Sequence, residues 1–182
     1  MKKILIATIT IILGIYMCII FICADLYIDY NLRKYSVYYA HNMAHKEGTH
    51  PEMAMALENM RVIYKPNKKN IRYRDKAGYT VYNDLNGDKS VYLYCRTKEI
   101  RYRYTYYDYF KRSYYFNDAF NLTLAYDGST EVDEINIRTI DQNALYKDMY
   151  NNFGFLVEAN VNRKPRINLQ KEFNKKYYKR FN

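Results

Sequence analysis

Residues 86–107 read NGDKSVYLYCRTKEIRYRYTYY, and this stretch decides the fold. Asn86-Gly87 is a two-residue hairpin signal, because both residues tolerate positive φ. From Ser90 to Thr97 the period is two. Val91, Leu93 and Cys95 share one face, and Tyr92, Tyr94 and Arg96 share the other. Ile100–Phe110 alternates again, with Arg101, Arg103 and Thr105 on one side and Tyr102, Tyr104 and Tyr106 on the opposite side. Strands joined by tight turns argue an antiparallel sheet.

Working outward, Ile71–Arg74 and Tyr79–Asn83 are predicted strands around a turn at Asp75–Gly78. Downstream, Asn121–Tyr126 and Glu131–Ile140 read as a hairpin around Asp127-Gly128. Asp141 is placed to cap a short helix with Leu145 and Met149 inward, which Gly154 ends. Phe155–Val161 is the last expected strand, before Pro165.

Upstream of the sheet the pattern is helical. Thr49-His50-Pro51-Glu52 has the form of a capping box, followed by Met53, Ala56, Leu57 and Met60 at helical spacing. That methionine stripe reads as core. Residues 25–48 hold neither Gly nor Pro before Gly48 and read as a helical stalk, with Leu26, Tyr30, Val37, Ala40 and Ala44 mostly on one face. The fold class expected is therefore α+β: an N-terminal transmembrane helix and stalk, then an antiparallel sheet with one or two short helices.

The chain begins with Lys2 and Lys3 and then runs 21 residues, Ile4–Ala24, without a charge until Asp25. A helix of about 20 apolar residues spans the hydrocarbon core of a bilayer. Three membrane readings fit: a retained signal anchor, a signal peptide cut after Ala24, and a lipoprotein acylated at Cys23. The run exceeds the usual length of a secretory apolar region, which favours the anchor. A lipoprotein needs a small residue before the Cys, and Ile22 is large. Lys2 and Lys3 favour a cytoplasmic amino terminus, which puts the domain in the periplasm or outside the cell. Arg33 and Lys34 on the far side oppose this preference.

The charge is segregated. The chain has 182 residues and a net charge of +10. Residues 1–24 carry +2. Residues 163–182 hold eight cations against Glu172 alone, leaving the middle at +1. The chain thus divides into an anchor (1–24), a stalk (25–48), an α+β domain (49–162) and a basic C-terminal tail (163–182). The nearly neutral body argues against a cytoplasmic nucleic-acid domain, which carries its positive surface on the fold itself. Leu169, Phe173, Tyr177 and Phe181 recur every four residues in the tail. This stripe admits three readings: a basic amphipathic helix on anionic lipid, a solvated tail, or a helix docked on the domain or on a partner.

The candidate ligand-binding residues are Arg101 and Arg103, interleaved with tyrosine, and Lys175, Lys176, Lys179 and Arg180 in the tail. Tyrosine offers a flat face and a hydroxyl, and arginine a planar cation. Together they suit glycans or single-stranded nucleic acid. His41, His45 and His50 could share a metal, but exposed stalk histidines explain them as well. Asp84-Leu85-Asn86-Gly87-Asp88 resembles the start of a calcium loop, yet Cys95 stands where a ligating Glu belongs. Asp127, Glu131, Asp133 and Glu134 form an acidic patch that nothing in the sequence turns into a catalytic pair. Cys95 alternates with apolar residues and reads as a buried, inert thiol. No phosphate loop, dinucleotide fingerprint or nucleophile elbow occurs.

An apolar helix running into a stalk before a sheet is similar to pilin-like secretion subunits, although those carry a processing Gly before the apolar run and a Glu shortly inside it, and this chain has neither. The sequence points to a small single-pass membrane protein. It would be a non-enzymatic structural or accessory component of a cell-envelope assembly, without cofactor, membrane-bound through residues 4–24 and meeting protein partners. The alternative is a binding module for an anionic glycan, lipid headgroup or nucleic acid, using the tail and the Arg/Tyr strand.

Overall fold

The computed structural model describes residues 2–75, 78–86, 89–96, 101–107, 111–128 and 133–182. It is α+β. A long helix, α1 (Lys2–Lys34), leads into α2 (Ser36–His41) and α3 (Pro51–Glu58). Seven strands follow: β1 (Ile71–Arg74), β2 (Tyr79–Asn86), β3 (Lys89–Arg96), β4 (Arg101–Tyr107), β5 (Lys111–Phe116), β6 (Leu122–Asp127) and the short β7 (Asp133–Glu134). Each strand pairs antiparallel with the next, in chain order. A single 3-10 turn (Ile137–Thr139), then α4 (Gln142–Phe153), α5 (Phe155–Val161) and α6 (Gln170–Phe181) complete the chain.

Among the described residues, α1 is the single helix long and apolar enough to cross a membrane. Its apolar side chains from Ile9 to Ile28 are exposed, so the fold gives them no core to enter. The helical chain does not continue as a stalk to Gly48. It breaks at Tyr35, and α2 turns into the core, where Val37, Tyr39 and Ala40 are buried. Tyr39 carries the reason. Its hydroxyl donates to Ile167 O and accepts from Leu169 N, so a ring that looked like stalk surface ties α2 to the chain entering α6.

The methionine stripe of α3 is core, as its spacing predicts: Met53, Ala56, Leu57 and Met60 are all buried. The capping box is absent. His50 is the N-cap and no side chain caps the helix, because Thr49 Oγ1 donates instead to Lys46 O at 2.7 Å. Asp141 does cap α4, accepting from Ala144 N at 3.0 Å, and Leu145 and Met149 point inward.

Two predicted strands are overturned. Phe155–Val161 is helix α5, not a strand. Gly154 is the C-cap that ends α4, as expected, but it does not turn the chain out of the helical path. It lies in the right-handed helical region, and a Cβ there would stand 2.5 Å from Tyr150 O. Glycine lets the backbone close up and pass straight into α5, which buries Leu156 and Asn160 at helical spacing. Of Glu131–Ile140, the described part gives two strand residues and a 3-10 turn. Strand β5 was not predicted.

The tail docks. Leu169, Phe173 and Phe181 are buried and Tyr177 is half-buried, so the aromatic stripe of α6 faces the domain. Burying each such side chain contributes about 1.5–3 kcal/mol, enough to order a helix whose other positions are mostly charged.

Candidate functional site

The strand alternation sorts the sheet into two faces with different chemistry. The inner face carries Val81, Val91, Leu93, Cys95, Tyr102, Tyr104 and Phe116, aligned across neighbouring strands by the register. The helices pack here. Tyr102 Oη donates to Glu58, Tyr104 Oη donates to Asp148, and Asn83 Nδ2 donates to Asn152 Oδ1. Burial holds both tyrosine hydroxyls protonated and pushes the Cys95 thiol up, so none of the three is a ready nucleophile or base.

The outer face is a lattice of tyrosine and arginine. The register sets Arg74, Thr80, Tyr94, Arg103, Tyr115 and Leu124 in one row across β1–β6. The next row runs Arg72, Tyr82, Tyr92, Thr105, Ser113 and Tyr126. Beyond them, Arg96 stands directly opposite Arg101. Tyr82, Tyr92 and Tyr107 form a chain of rings with centroids 5.6 and 5.7 Å apart. In the same row Thr105 and Ser113 are buried and joined at 3.1 Å.

Arg103 is the hub of this face. Its guanidinium lies over the rings of Tyr92, Tyr94 and Tyr115 at 5.6, 5.6 and 5.8 Å. One Nη1–H donates to Tyr115 Oη at 3.3 Å. A planar cation between aromatic faces is held in orientation by cation–π attraction. Gly78 makes room for one side of the cage. Its φ is +138°, and a Cβ would stand 2.7 Å from the Tyr94 ring and 2.6 Å from Cys95 O. Arg96, Arg101 and Arg103 line a cavity of about 310 Å³ with Tyr94 and Tyr115. Three arginines lining one aromatic-walled hollow are residues of the type that recognise a carboxylate or phosphate.

The six candidate residues therefore separate. Arg101 and Arg103 meet in this hollow, together with Arg96, which pairs with Arg101 across the turn-side ladder and belonged to the same alternating pattern. Lys175 and Lys179 are exposed on α6, and Lys176 Nζ lies 3.4 Å from Asp29 Oδ1. Arg180 is turned inward. Its guanidinium grips both oxygens of Glu58, at 2.5 and 3.1 Å, contacts Tyr102 Oη, and donates from Nε to Asp118 O at 2.7 Å. It is a structural clamp, with a side chain only 11% exposed.

The other candidates fall elsewhere. His41 Nδ1 contacts Glu52 at 3.2 Å and His45 Nδ1 contacts Thr49 at 3.2 Å. His50 stacks on Tyr146 with centroids 4.0 Å apart. Among the described residues no set of three or more His, Cys, Asp or Glu could hold a metal. Asp84 is bound to Arg72 at 2.6 Å, while Gly87 and Asp88 of the calcium-like loop lie outside the described residues. Asp127 and Asp133 are cross-strand partners, Arg112 sits 3.4 Å from Asp127, and Glu131 lies outside the described residues. Comparison with protein-family models, curated proteins and solved structures gives no match.

Proposed function

We propose that the protein is a single-pass, non-enzymatic binding module of the cell envelope, held by α1 as a signal anchor with its domain outside the cytoplasm. Its outer sheet face takes an anionic glycan. The supporting observation is the hollow of Arg96, Arg101 and Arg103 walled by Tyr94 and Tyr115, set in a face with six tyrosines. Tyrosine rings stack on sugar rings, and the arginine forks pair with acidic substituents. The stretch Ile4–Ala24 and the exposed flank of α1 support the anchor.

The test is binding of full-length protein in detergent to immobilised polygalacturonate, against a neutral glucan and a single-stranded oligonucleotide. Salt-sensitive retention on the acidic glycan is expected. Arg103→Lys should weaken it about tenfold, because an ammonium cannot reproduce the fork held between rings. Equal retention of wild type and Arg103→Lys refutes the reading, and preference for the oligonucleotide reassigns the face.

One observation favours a second reading. Tyrosine and arginine are the residue types that carry most energy at protein interfaces. The same face would then dock a protein, making the chain an accessory component of an envelope assembly. Co-purification from solubilised membranes that is lost with Arg103→Ala would select this reading.

A further inference from the structure

We infer that α6 and the end of α1 form a collar that binds the headgroups of anionic phospholipids, through Lys175, Lys176 and Lys179. The inference rests on the membrane reading of α1 and concerns a surface separate from the Tyr/Arg face.

The depth of α6 follows from the helix. Asp25 ends the apolar run, and Asp29 lies four residues further, about 6 Å along the axis. The contact between Lys176 Nζ and Asp29 Oδ1, at 3.4 Å, places the middle of α6 at that height. The headgroup layer extends roughly 5–7 Å beyond the hydrocarbon on each side. The aromatic residues agree. Tyr27 and Tyr30 of α1 are exposed at the level where interfacial aromatic belts form.

The charge of the collar fits the same layer. At about 100° per residue, Lys175, Lys176 and Lys179 fall within one arc of α6, on the side where Lys176 meets α1. Arg33 and Lys34 close the last turn of α1, and Arg33 shares Asp29 with Lys176. Glu172 shares the arc and Asp29 contacts both Arg33 and Lys176, so five cations stand against two carboxylates. The opposite flank of α6 is fully committed to the domain through Phe173, Arg180 and Phe181. The helix is thereby fixed by its apolar flank, leaving the lysine arc on the side where Lys176 meets the end of α1.

The experiment uses full-length protein reconstituted into vesicles of phosphatidylcholine alone or with about one third phosphatidylglycerol. The rate of amine acetylation is read residue by residue by mass spectrometry. The expected result is slower labelling of Lys175, Lys176 and Lys179 in the anionic vesicles, by up to about fivefold each. Lys69 and Lys147, on other parts of the fold, should be unchanged, and high salt should erase the difference. K175E/K179E, or K175Q/K179Q, which adds no charge, should abolish the lipid dependence at Lys176.

Equal labelling in both vesicles, with the protein still floating with them, overturns the collar and leaves the anchor standing. Protein that floats with neither overturns the anchor and the collar together. Protection by soluble polyphosphate in neutral vesicles, without protection by phosphatidylglycerol, would assign the patch to a polymer and overturn the lipid assignment.

Discussion

Replacing Arg180 by alanine tests the packing of the C-terminal helix most directly. The guanidinium makes a two-pronged contact with Glu58, touches Tyr102 Oη and donates to Asp118 O. Both charged side chains are largely out of solvent, Arg180 at 11% and Glu58 at 14% exposure. Removing one partner of a buried pair leaves the other charge uncompensated, which costs about 3–5 kcal/mol. For a chain of this size each kcal/mol lowers Tm by roughly 2–4 °C. Arg180→Ala should therefore melt about 6–20 °C below wild type in the same detergent. The chain has 24 Tyr and no Trp, so near-ultraviolet circular dichroism of tyrosine reports the melt. A double variant, Glu58→Gln with Arg180→Met, removes both charges while keeping volume, and should recover most of the loss, because apolar replacement of a buried pair is often neutral. A fall of less than about 2 °C in Arg180→Ala would refute the clamp. A double variant no better than the single would show that volume, not the orphaned carboxylate, sets the cost.

Gly78→Ala should destabilise the domain and weaken glycan binding together, since the new Cβ meets Cys95 O at 2.6 Å and the Tyr94 ring at 2.7 Å. Melting and retention on polygalacturonate, measured side by side, check this. Cys95 is buried at 0% exposure, and burial raises its thiol pKa, so iodoacetamide should modify it only under unfolding conditions. Mass spectrometry of the Cys95 peptide with and without denaturant decides. His50 is pushed below the ordinary imidazole value by burial among Phe120, Tyr146 and Tyr150; nearby Glu52 partly offsets this and His45 adds to it. The unfolded chain then binds the proton more readily. Stability from this group is complete above about pH 6.5 and declines as pH falls below it. His50→Phe should flatten that decline in a Tm series between neutral and mildly acidic pH, and an unchanged slope would contradict the assignment.

The sheet is legible because its strands obey a period of two and Asn-Gly and Asp-Gly in the sequence mark the breaks between them. β3 and β4 even showed which residues share the outer face. Alternation cannot say which face the helices cover. That depended on Glu58, Asp148 and Asn152 arriving from distant elements to meet Tyr102, Tyr104 and Asn83. Strand β5, KRSYYF, was missed because its apolar side chains do not alternate cleanly; only its pairing with β4 and β6 fixes it. Phe155–Val161 misled because a glycine before an apolar run looks like a boundary. Here Gly154 serves close approach to Tyr150 O and the helical path continues. In the sequence Arg180 reads as one tail cation among others, and no local pattern distinguishes it from Lys179. The signal lay in the four-residue spacing of Phe173, Tyr177 and Phe181, which already placed one flank of α6 against something apolar.

The junction at Tyr35 has a mechanical meaning. One residue separates α1 from α2, and α2 is embedded in the body of the domain. If α1 is the anchor proposed above, little slack separates it from the domain. A domain of about 150 residues has a radius of gyration of roughly 15 Å, so on the proposed anchoring a bound ligand would be held within a few nanometres of the lipid. With so short a connection, the orientation of the body would follow the tilt of the proposed anchor closely. Neighbouring copies would all offer their sheets at one height, and a long chain-like ligand lying along the membrane could engage many of them at once.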